Sequence, residues 1–273
     1  MLSSLGLTTE QLSQVEQLFT LSTQRFGQSS LDRLKQALFS QDLSPPQDNR
    51  WQQPKIFFPF LKSKPWYESK EIDGVQTLIS MANAIQGELE DALMLKKNYE
   101  CSDKTGYNGQ WNIFYLSRSP LLVDERIKFN QQSCPSTLEG LKRLPRFAGT
   151  AWFSALNPHS SIPAHFGDTN LKLNLHLGLI VPDDCALRVA DESKAFLHHD
   201  CLIFADSFEH EAWNNSDTTR ITLFADIWHP DLTDAEVFVL SQLQGMYDVA
   251  IQQQRTQDIG GKHFLDNEKW WVL

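Results

Sequence analysis

The chain has 273 residues and carries 34 Asp and Glu against 24 Lys and Arg, so its formal net charge is −10 at pH 7. An acidic surplus without a basic run repels phosphate backbones and anionic bilayers, which argues against nucleic-acid partners and membrane partners. No run approaches the roughly 20 apolar residues of a membrane helix, and residues 1–11 lack the features of a signal peptide. We therefore expect a soluble, cytoplasmic protein with a sizeable core, since 41% of its residues are hydrophobic.

The first 50 residues are predicted to form a helical hairpin. Apolar residues recur there at helical spacing in two stripes on either side of Gly27: Leu12, Val15, Phe19 and Phe26, then Leu31, Leu34 and Leu38. Residues 43–54 contain three prolines among polar residues, which is typical of a linker. The sequence thus predicts an N-terminal helical extension, residues 1–50, followed by the main domain, residues 51–273.

The main domain begins with a helical pattern and continues with an extended one. Apolar residues from Ile72 to Leu93 predict one long amphipathic helix. Beyond about residue 107 the period becomes that of strands, and six are predicted without intervening helices, which indicates an antiparallel sandwich or barrel. They cover residues 111–116, 151–156, 171–181, 185–189, 201–204 and 220–227. A capping box at Thr233 and Glu236 predicts a last helix.

The four cysteines are Cys101, Cys134, Cys185 and Cys201, and none forms a CxxC pair. This spacing argues against a zinc cluster or a redox motif. Reduced thiols are expected, although the spacing leaves a bridge between Cys101 and Cys134 open.

Two histidines stand beside predicted strands, His165 in PAHFGD and His210 in DSFEHE, and Arg220 follows ten residues after the second. Two neutral imidazoles suit a non-haem Fe(II), which is usually completed by a carboxylate two residues after the first His. A buried arginine suits an anionic co-substrate. Spacing alone is a weak signal, because a pair among eight histidines is more often structural.

Several motifs then follow one another between residues 152 and 233. They are Trp152-Phe153-Ser154, His165-x-Gly167, HLGLIVP from His176, DSFEHExW from Asp206, and DIWHPxLT from Asp226. Together they closely resemble the aspartyl/asparaginyl β-hydroxylase family of 2-oxoglutarate-dependent oxygenases. A weaker resemblance extends back through Cys134-Pro135 and Trp111 to the helix predicted from Ile72.

The resemblance implies a mainly β fold: a double-stranded β-helix, or cupin-like jelly roll, with N-terminal helices and a C-terminal helix. It implies that His165 and His210 are the catalytic iron ligands and that Arg220 and Ser154 bind the distal carboxylate of 2-oxoglutarate. His176 and Trp111 match further co-substrate contacts. The cofactors would be Fe(II), 2-oxoglutarate as co-substrate, and O₂.

Two departures from common oxygenase patterns bear on the site. Gly167 stands where most iron oxygenases have a carboxylate. Members of the family that the chain resembles also have glycine at this position, and water fills the vacant metal site. Asp168 points away on an extended segment, so Asp206 is the better partner for a metal-bound water. Asn174 stands where the family usually has an arginine for the carboxylate nearest the metal; Lys172 lies on the same strand face and is the candidate to compensate.

The implied activity is that of a dioxygenase, which hydroxylates an unactivated C–H with release of succinate and CO₂. By analogy the target is the β-carbon of an Asp or Asn residue in a peptide or protein. The alternatives are a free or carrier-bound amino acid, a lipid acyl chain, and a non-catalytic cupin that binds a small acid. Asn174 keeps the last alternative open.

Overall fold

The computed structural model describes residues 9–39, 49–95, 100–101, 111–118 and 125–245. The predicted N-terminal hairpin is present as α1 (Thr9–Phe26) and α2 (Asp32–Phe39). Gly27 ends the first helix with φ 107°, a left-handed conformation that glycine adopts without steric cost. Half of the predicted linker, residues 43–48, lies outside the described residues.

The hairpin packs against the C-terminal helix. Residues 234–245 form this helix, α7, and the predicted capping box is confirmed: the Glu236 N–H donates to Thr233 Oγ1 at 3.2 Å, and the Thr233 N–H donates to Glu236 Oε2 at 2.8 Å. The shared apolar cluster includes Val15, Phe19, Leu31, Leu34 and Leu38 from the hairpin, and Ala235, Val239 and Leu240 from α7. It also includes Trp228 of the larger sheet, so the hairpin and α7 cover one end of that sheet.

The helix predicted from Ile72 is two helices, α3 (Val75–Ser80) and α4 (Ala82–Leu95), so the prediction of a single helix was wrong. The helix is interrupted at Met81, whose N–H ends α3 by donating to Leu78 O at 3.1 Å. The apolar period continues across this interruption, so the sequence pattern does not reveal it. The position before α3 requires a glycine, Gly74, because a Cβ there would lie 2.1 Å from Arg143 O.

Two further helices, α5 (Glu125–Ser133) and α6 (Pro135–Lys142), contradict the prediction of strands without intervening helices. Helix α5 buries only Ile127 and Asn130, which is too few for a clear apolar stripe. Helix α6 receives its N-terminal cap from another helix: the Glu88 carboxylate accepts from the Ser136 and Thr137 N–H groups at 2.5 and 2.8 Å.

The strands form two antiparallel sheets. The larger sheet has the order β1-β9-β6-β11-β4-β3-β2 and the smaller one β5-β10-β7-β8. The strands are β1 (Trp66–Tyr67), β2 (Glu100–Cys101), β3 (Trp111–Ser117), β4 (Phe147–Leu156), β5 (Ser160–His165), β6 (Lys172–Ile180), β7 (Cys185–Val189), β8 (Glu192–Ala195), β9 (Cys201–Phe204), β10 (His210–Asn214) and β11 (Arg220–Trp228). From β4 to β11 the chain winds between the sheets, and β4, β6, β9 and β11 face β5, β7, β8 and β10. This winding is the double-stranded β-helix that the resemblance implies.

Five of the six predicted segments lie within observed strands, and β6 is one residue shorter at each end than the predicted segment 171–181; the other described strands were not predicted. The core follows from strand alternation in β6, where Leu173, Leu175, Leu177 and Leu179 are fully buried in the apolar cluster that includes Ile85 and Leu89 of α4. Asn174 and His176 therefore point to the opposite face, between the sheets. In the part of the chain that the structure describes, no helix combines the length and apolarity needed to cross a bilayer.

Cys134, Cys185 and Cys201 are free thiols, as the sequence predicts for a reduced protein. The side chain of Cys101 lies outside the described residues. Burial raises the pKa of Cys134 to about 12, so this thiol is an inert part of the core.

Candidate active site

A cavity of about 370 Å³ lies between the two sheets. Its floor is the inner face of β4, β6 and β11, and its roof comes from β5, β7 and β10. The polar residues that line it are Ser154, His165, Asp168, Asn174, His176, Asp206, His210, Arg220 and Asp226, together with Trp111 and Trp152. The sheets thus bring together most of the predicted site residues, which are separated by more than 100 positions in the sequence.

His165 and His210 are direct partners in the register between β5 and β10, and their ring centroids lie 4.1 Å apart. Each Nδ1 lies 2.8 Å from a backbone carbonyl oxygen two residues earlier, Pro163 O and Phe208 O. A carbonyl only accepts, so Nδ1 carries the proton and the lone pair of each neutral ring is on Nε2. Burial, followed by the proximity of His165, lowers the pKa of His210 to about 3. The pair has the tautomer in which Nε2 can bind a metal.

The strand that carries His210 is fixed from outside the cavity by Arg188 of β7. Its Nε donates to Glu211 at 2.5 Å and its Nη2 donates to Glu209 at 3.0 Å. Both glutamates point away from the cavity, as strand alternation predicts. One guanidinium therefore holds the residues on either side of His210.

Arg220 is 1% exposed, and its three guanidinium nitrogens have no hydrogen-bond partner among the described residues. The group lies over the Phe196 ring at 4.5 Å, and burial lowers its pKa to about 10. A buried, unsatisfied guanidinium is costly, and a planar carboxylate accepts two of its N–H groups at once. The chemistry of this residue fits an anionic ligand in the cavity.

Ser154 and His176 are fixed by neighbours on the same floor. The Trp111 Nε1–H donates to Ser154 Oγ at 2.9 Å, so the Ser154 proton is available for another acceptor. Thr222 pairs with Ser154 in the register between β11 and β4, and its Oγ1 lies 3.1 Å from His176 Nδ1. Burial, then Arg220 and His210, hold the pKa of His176 well below its ordinary value. His176 is thus a neutral hydrogen-bonding group rather than a cation.

Asn174 lines the cavity, and its Oδ1 has no partner among the described residues. Lys172 does not line the cavity. Its Nζ lies 3.8 Å from Asp226 Oδ2 and donates to Gln244 Oε1 of α7 at 3.2 Å. The ammonium group thus lies near Asp226, which lines the cavity, and is hydrogen-bonded to the C-terminal helix.

The two aspartates near His165 differ in position. Asp168 is exposed and pairs with Lys55 at 2.8 Å. Asp206 lines the cavity, its Oδ1 has no partner in the described chain, and a Cβ on Gly167 would lie 2.2 Å from its Oδ2. Burial, then repulsion from Asp226, raises the pKa of Asp206 well above its ordinary range. This carboxylate occupies the space that a side chain at position 167 would need.

Asp226 was not identified from the sequence as a site residue. Its position could have been found from strand alternation, because Arg220, Thr222, Phe224 and Asp226 are spaced by two and share one face of β11. Burial raises the pKa of this carboxyl, and Lys172 opposes the shift.

Among the described residues, no three His, Cys, Asp or Glu side chains are close enough together to hold a metal ion. In this described part of the chain, the histidine pair is the candidate donor set for a metal.

A protein-family model described as Aspartyl/Asparaginyl beta-hydroxylase matches residues 80–230 of the chain. Aspartate beta-hydroxylase domain-containing protein 2 of Xenopus tropicalis is 31% identical over 201 residues, which is 68% of this chain and 53% of that protein. The human aspartyl/asparaginyl beta-hydroxylase is 29% identical over 201 residues, 67% of this chain and 25% of that protein. The ornithine lipid ester-linked acyl 2-hydroxylase of Rhizobium tropici is 36% identical over 157 residues, 54% of each chain. The chain thus matches about half of the length of these relatives or less.

Solved structures with partial similarity include a Pseudomonas putida prolyl-4-hydroxylase, with a TM-score of 0.35 and 13% identity over 55% of this chain and 87% of that one. A 2OG-Fe(II) oxygenase family oxidoreductase from Burkholderia pseudomallei has a TM-score of 0.35 and 11% identity over 54% of this chain and 78% of that one.

Proposed function

Since the chain belongs to the aspartyl/asparaginyl β-hydroxylase family, we propose that it is an Fe(II)- and 2-oxoglutarate-dependent oxygenase. Its reaction would hydroxylate an unactivated C–H bond, and the proposed target is the β-carbon of an Asp or Asn residue in a peptide or protein. The observation that carries this proposal is the buried guanidinium of Arg220, which has no hydrogen-bond partner in the described part of the chain and lines the same cavity as two histidines that donate from Nδ1.

His165 and His210 would hold the metal through Nε2, because their Nδ1 protons are engaged by carbonyl oxygens. When bound, iron and 2-oxoglutarate supply the oxidising chemistry: 2-oxoglutarate and O₂ yield succinate and CO₂, and one oxygen atom enters the C–H bond. The share of the protein is to hold these groups in position and to exclude water.

The distal carboxylate of 2-oxoglutarate would bind Arg220 and Ser154. The fork of Arg220 matches the planar carboxylate, and Ser154 can donate its proton because Trp111 already donates to its oxygen. His176 would contribute at the metal-binding end, held by Thr222. The aromatic rings of Trp152 and Phe224, whose centroids lie 3.9 Å apart, also line the cavity and would help to keep water from the reacting centre.

A lipid acyl chain is the second candidate substrate. The relative from Rhizobium tropici is named as an acyl 2-hydroxylase of ornithine lipid, and the cavity of this chain is lined by apolar side chains, including Ile162, Leu187 and Phe196, besides its polar groups. The choice between a peptide and an acyl chain is a matter for direct assay, since family and fold define the oxidant better than the substrate.

The proposal is tested by incubating the purified full chain with Fe(II), ascorbate and 2-oxoglutarate and measuring succinate, with and without peptides that contain Asp or Asn, or acyl lipids. His165→Ala and His210→Ala should each abolish metal binding and succinate formation. His159→Ala is the matched control, because His159 is exposed and pairs with Asp217 outside the cavity. Absence of succinate with every substrate, in a protein that binds neither metal nor 2-oxoglutarate, would overturn the proposal.

A further inference from the structure

Two loops flank the histidine pair and lie outside the strands. One loop, residues 166–171, follows His165, and the other, residues 205–209, precedes His210. The ladder between β5 and β10 is irregular beside the pair, because its register shifts immediately after His210. The position of the two loops therefore depends on contacts other than the ladders of the two sheets.

A single segment of the chain, residues 51–58, contacts both loops, and we call it the bridging segment. Its first part pairs with the loop that precedes β10. The Glu209 N–H donates to Trp51 O at 2.7 Å, and the Gln53 N–H donates to Ser207 O at 3.2 Å. Two backbone hydrogen bonds thus hold this loop to the bridging segment.

The last part of the bridging segment pairs with the loop that follows His165. The Ile56 N–H donates to Asp168 O at 2.9 Å. The Phe58 N–H donates to Asn170 Oδ1 at 2.7 Å, and Asn170 Nδ2 donates back to Phe58 O at 2.8 Å. The same short stretch of chain is therefore hydrogen-bonded to the loops of both histidines.

These contacts form a closed ring with the hydrogen bond that joins the two loops directly. The Gly167 N–H donates to Asp206 O at 2.6 Å, and the next residue along each loop, Asp168 and Ser207, is bonded to the bridging segment. In a closed ring neither loop can shift without loss of a hydrogen bond. The ring therefore fixes the separation of the two loops better than their single direct contact would.

Gln52 is the buried polar side chain of the bridging segment. It is 1% exposed, its Nε2 donates to Ser207 Oγ at 3.0 Å, and its Oε1 accepts from Ser63 Oγ at 2.5 Å. Ser207 precedes Phe208, whose carbonyl oxygen accepts the Nδ1 proton of His210. The Gln52 amide thus holds the residue next to the carbonyl that orients this histidine.

We propose that the bridging segment is a positioning element of the metal site and that Gln52 is its positioning residue. Two protein ligands hold a metal less rigidly than three, so the aim of His165 and His210 depends on the groups behind them. Gln52 fixes Ser207, and through it the Phe208 carbonyl that holds the His210 ring. This inference rests on the proposed function, since it concerns the metal that the histidine pair would hold.

The test follows Co(II) binding to the full-length apoprotein under anaerobic conditions, because the visible absorption of this ion reports both affinity and coordination geometry. Gln52→Met keeps the length of the side chain and removes its hydrogen bonds. We expect about tenfold weaker binding and a changed absorption spectrum, which is the size of effect typical for partners that orient a metal's ligands.

Gln53→Met is the matched control, since it is the same substitution one residue along the bridging segment. The Gln53 side chain is exposed and donates to Asn49 O, and the substitution keeps the backbone N–H that pairs with Ser207. Its Co(II) affinity and spectrum should be those of the wild type.

Ser207→Ala removes the other partner of the Gln52 bond and should weaken Co(II) binding severalfold; it also carries the test if Gln52→Met does not fold. In the double variant the loss of binding free energy should be smaller than the sum of the two single losses, because both remove the same bond. An additive loss would contradict this link. So would a Gln52→Met protein that unfolds at a lower temperature but binds Co(II) with wild-type affinity and spectrum, which is the result of a purely structural role.

His210→Ala separates this inference from the proposed function. If the wild type binds no Co(II), or if His210→Ala binds it as the wild type does, the histidine pair is not the metal site, and both proposals are overturned. If His210→Ala abolishes binding while Gln52→Met and Ser207→Ala bind like Gln53→Met, only the positioning role is overturned. Circular dichroism of each variant establishes that the fold is retained.

Discussion

Gly167 lies directly against Asp206: a Cβ at position 167 would come within 2.2 Å of Asp206 Oδ2, and the Gly167 N–H donates to Asp206 O at 2.6 Å. The position two residues after His165 therefore has no room for a side chain. The carboxylate in this space comes instead from Asp206, two residues after the end of β9 and four positions before His210. From this position we expect Asp206 to hold a metal-bound water.

Gly167→Ala should displace the Asp206 carboxylate and lower metal affinity about tenfold, which is the size of effect typical for partners that orient a metal's ligands. The measurement is a titration of the apoprotein with Fe(II) or Co(II) under anaerobic conditions. Gly87→Ala is the matched control, because Gly87 is at an exposed position of α4 and a Cβ there meets nothing within 4 Å. We expect this substitution to raise the stability of the helix by about 0.5–1 kcal/mol. Unchanged metal affinity in Gly167→Ala would contradict this role of Asp206.

The fold was predictable where strands bury apolar residues. The segments 185–189 and 201–204 match β7 and β9 residue for residue, because their apolar runs end at turns. Strands β5 and β8 were missed: SSIPAH contains a proline and mostly exposed side chains, and ESKA is polar. Both lie at the edges of the smaller sheet, where pairing rather than burial defines the strand.

The resemblance predicts the residues of the candidate site, and all of them except Lys172 line one cavity, but it does not predict their geometry. The register that pairs His165 with His210 depends on the missed strands β5 and β10. The position of Lys172 depends on Gln244, because α7 brings this side chain to the lysine and draws the ammonium away from the cavity. Strand alternation places Lys172 on the correct face, but it cannot reveal a long-range contact.

Arg188→Met should weaken metal binding severalfold although residue 188 lies outside the cavity. The variant loses the guanidinium group that pairs with both Glu209 and Glu211, so the backbone on both sides of His210 is less constrained. Arg188→Lys should restore metal affinity only in part, since a lysine keeps the charge but lacks the fork. Metal affinity and the unfolding temperature of the apoprotein are measured together.

A merely structural role of Arg188 would lower the unfolding temperature and leave metal affinity intact, which is the result that would contradict positioning. Glu192→Gln serves as the control, because Glu192 is exposed and lies 3.7 Å from Lys194 at the edge of the same sheet.

Trp111→Phe should weaken 2-oxoglutarate binding about three- to tenfold, because the ring remains while the hydrogen bond to Ser154 is lost. Without this donor, Ser154 is free to turn its own proton away from the carboxylate. Metal affinity should not change. The measurement is the dissociation constant of 2-oxoglutarate by calorimetry. Trp213→Phe is the control, since Trp213 is on the face of β10 opposite His210 and Ala212; equal effects of both variants would contradict the argument.

Glu236 should stabilise the fold at neutral pH and lose this effect in acid. Its side chain is 1% exposed and accepts from Arg33 Nε at 2.9 Å and Nη2 at 2.5 Å. Burial raises its pKa, but the hydrogen bonds from Arg33 and Thr233 outweigh burial, and the net pKa is lowered. A pKa that is lower in the folded state gives stability that is present above the pKa of the unfolded chain and lost as pH falls through the folded value.

Glu236→Gln should therefore cost about 1–2 kcal/mol of unfolding free energy at about pH 7, since a buried charged hydrogen-bond partner of Arg33 is removed. The difference from the wild type should shrink as pH falls below the ordinary pKa of a glutamate and then through the lowered pKa of the folded wild type, because its carboxyl then also takes up a proton. Urea unfolding at several pH values measures both. Because Glu236 joins α7 to the N-terminal hairpin through Arg33, a difference that stays constant over this range would show that the hairpin is held by apolar packing and not by this ion pair.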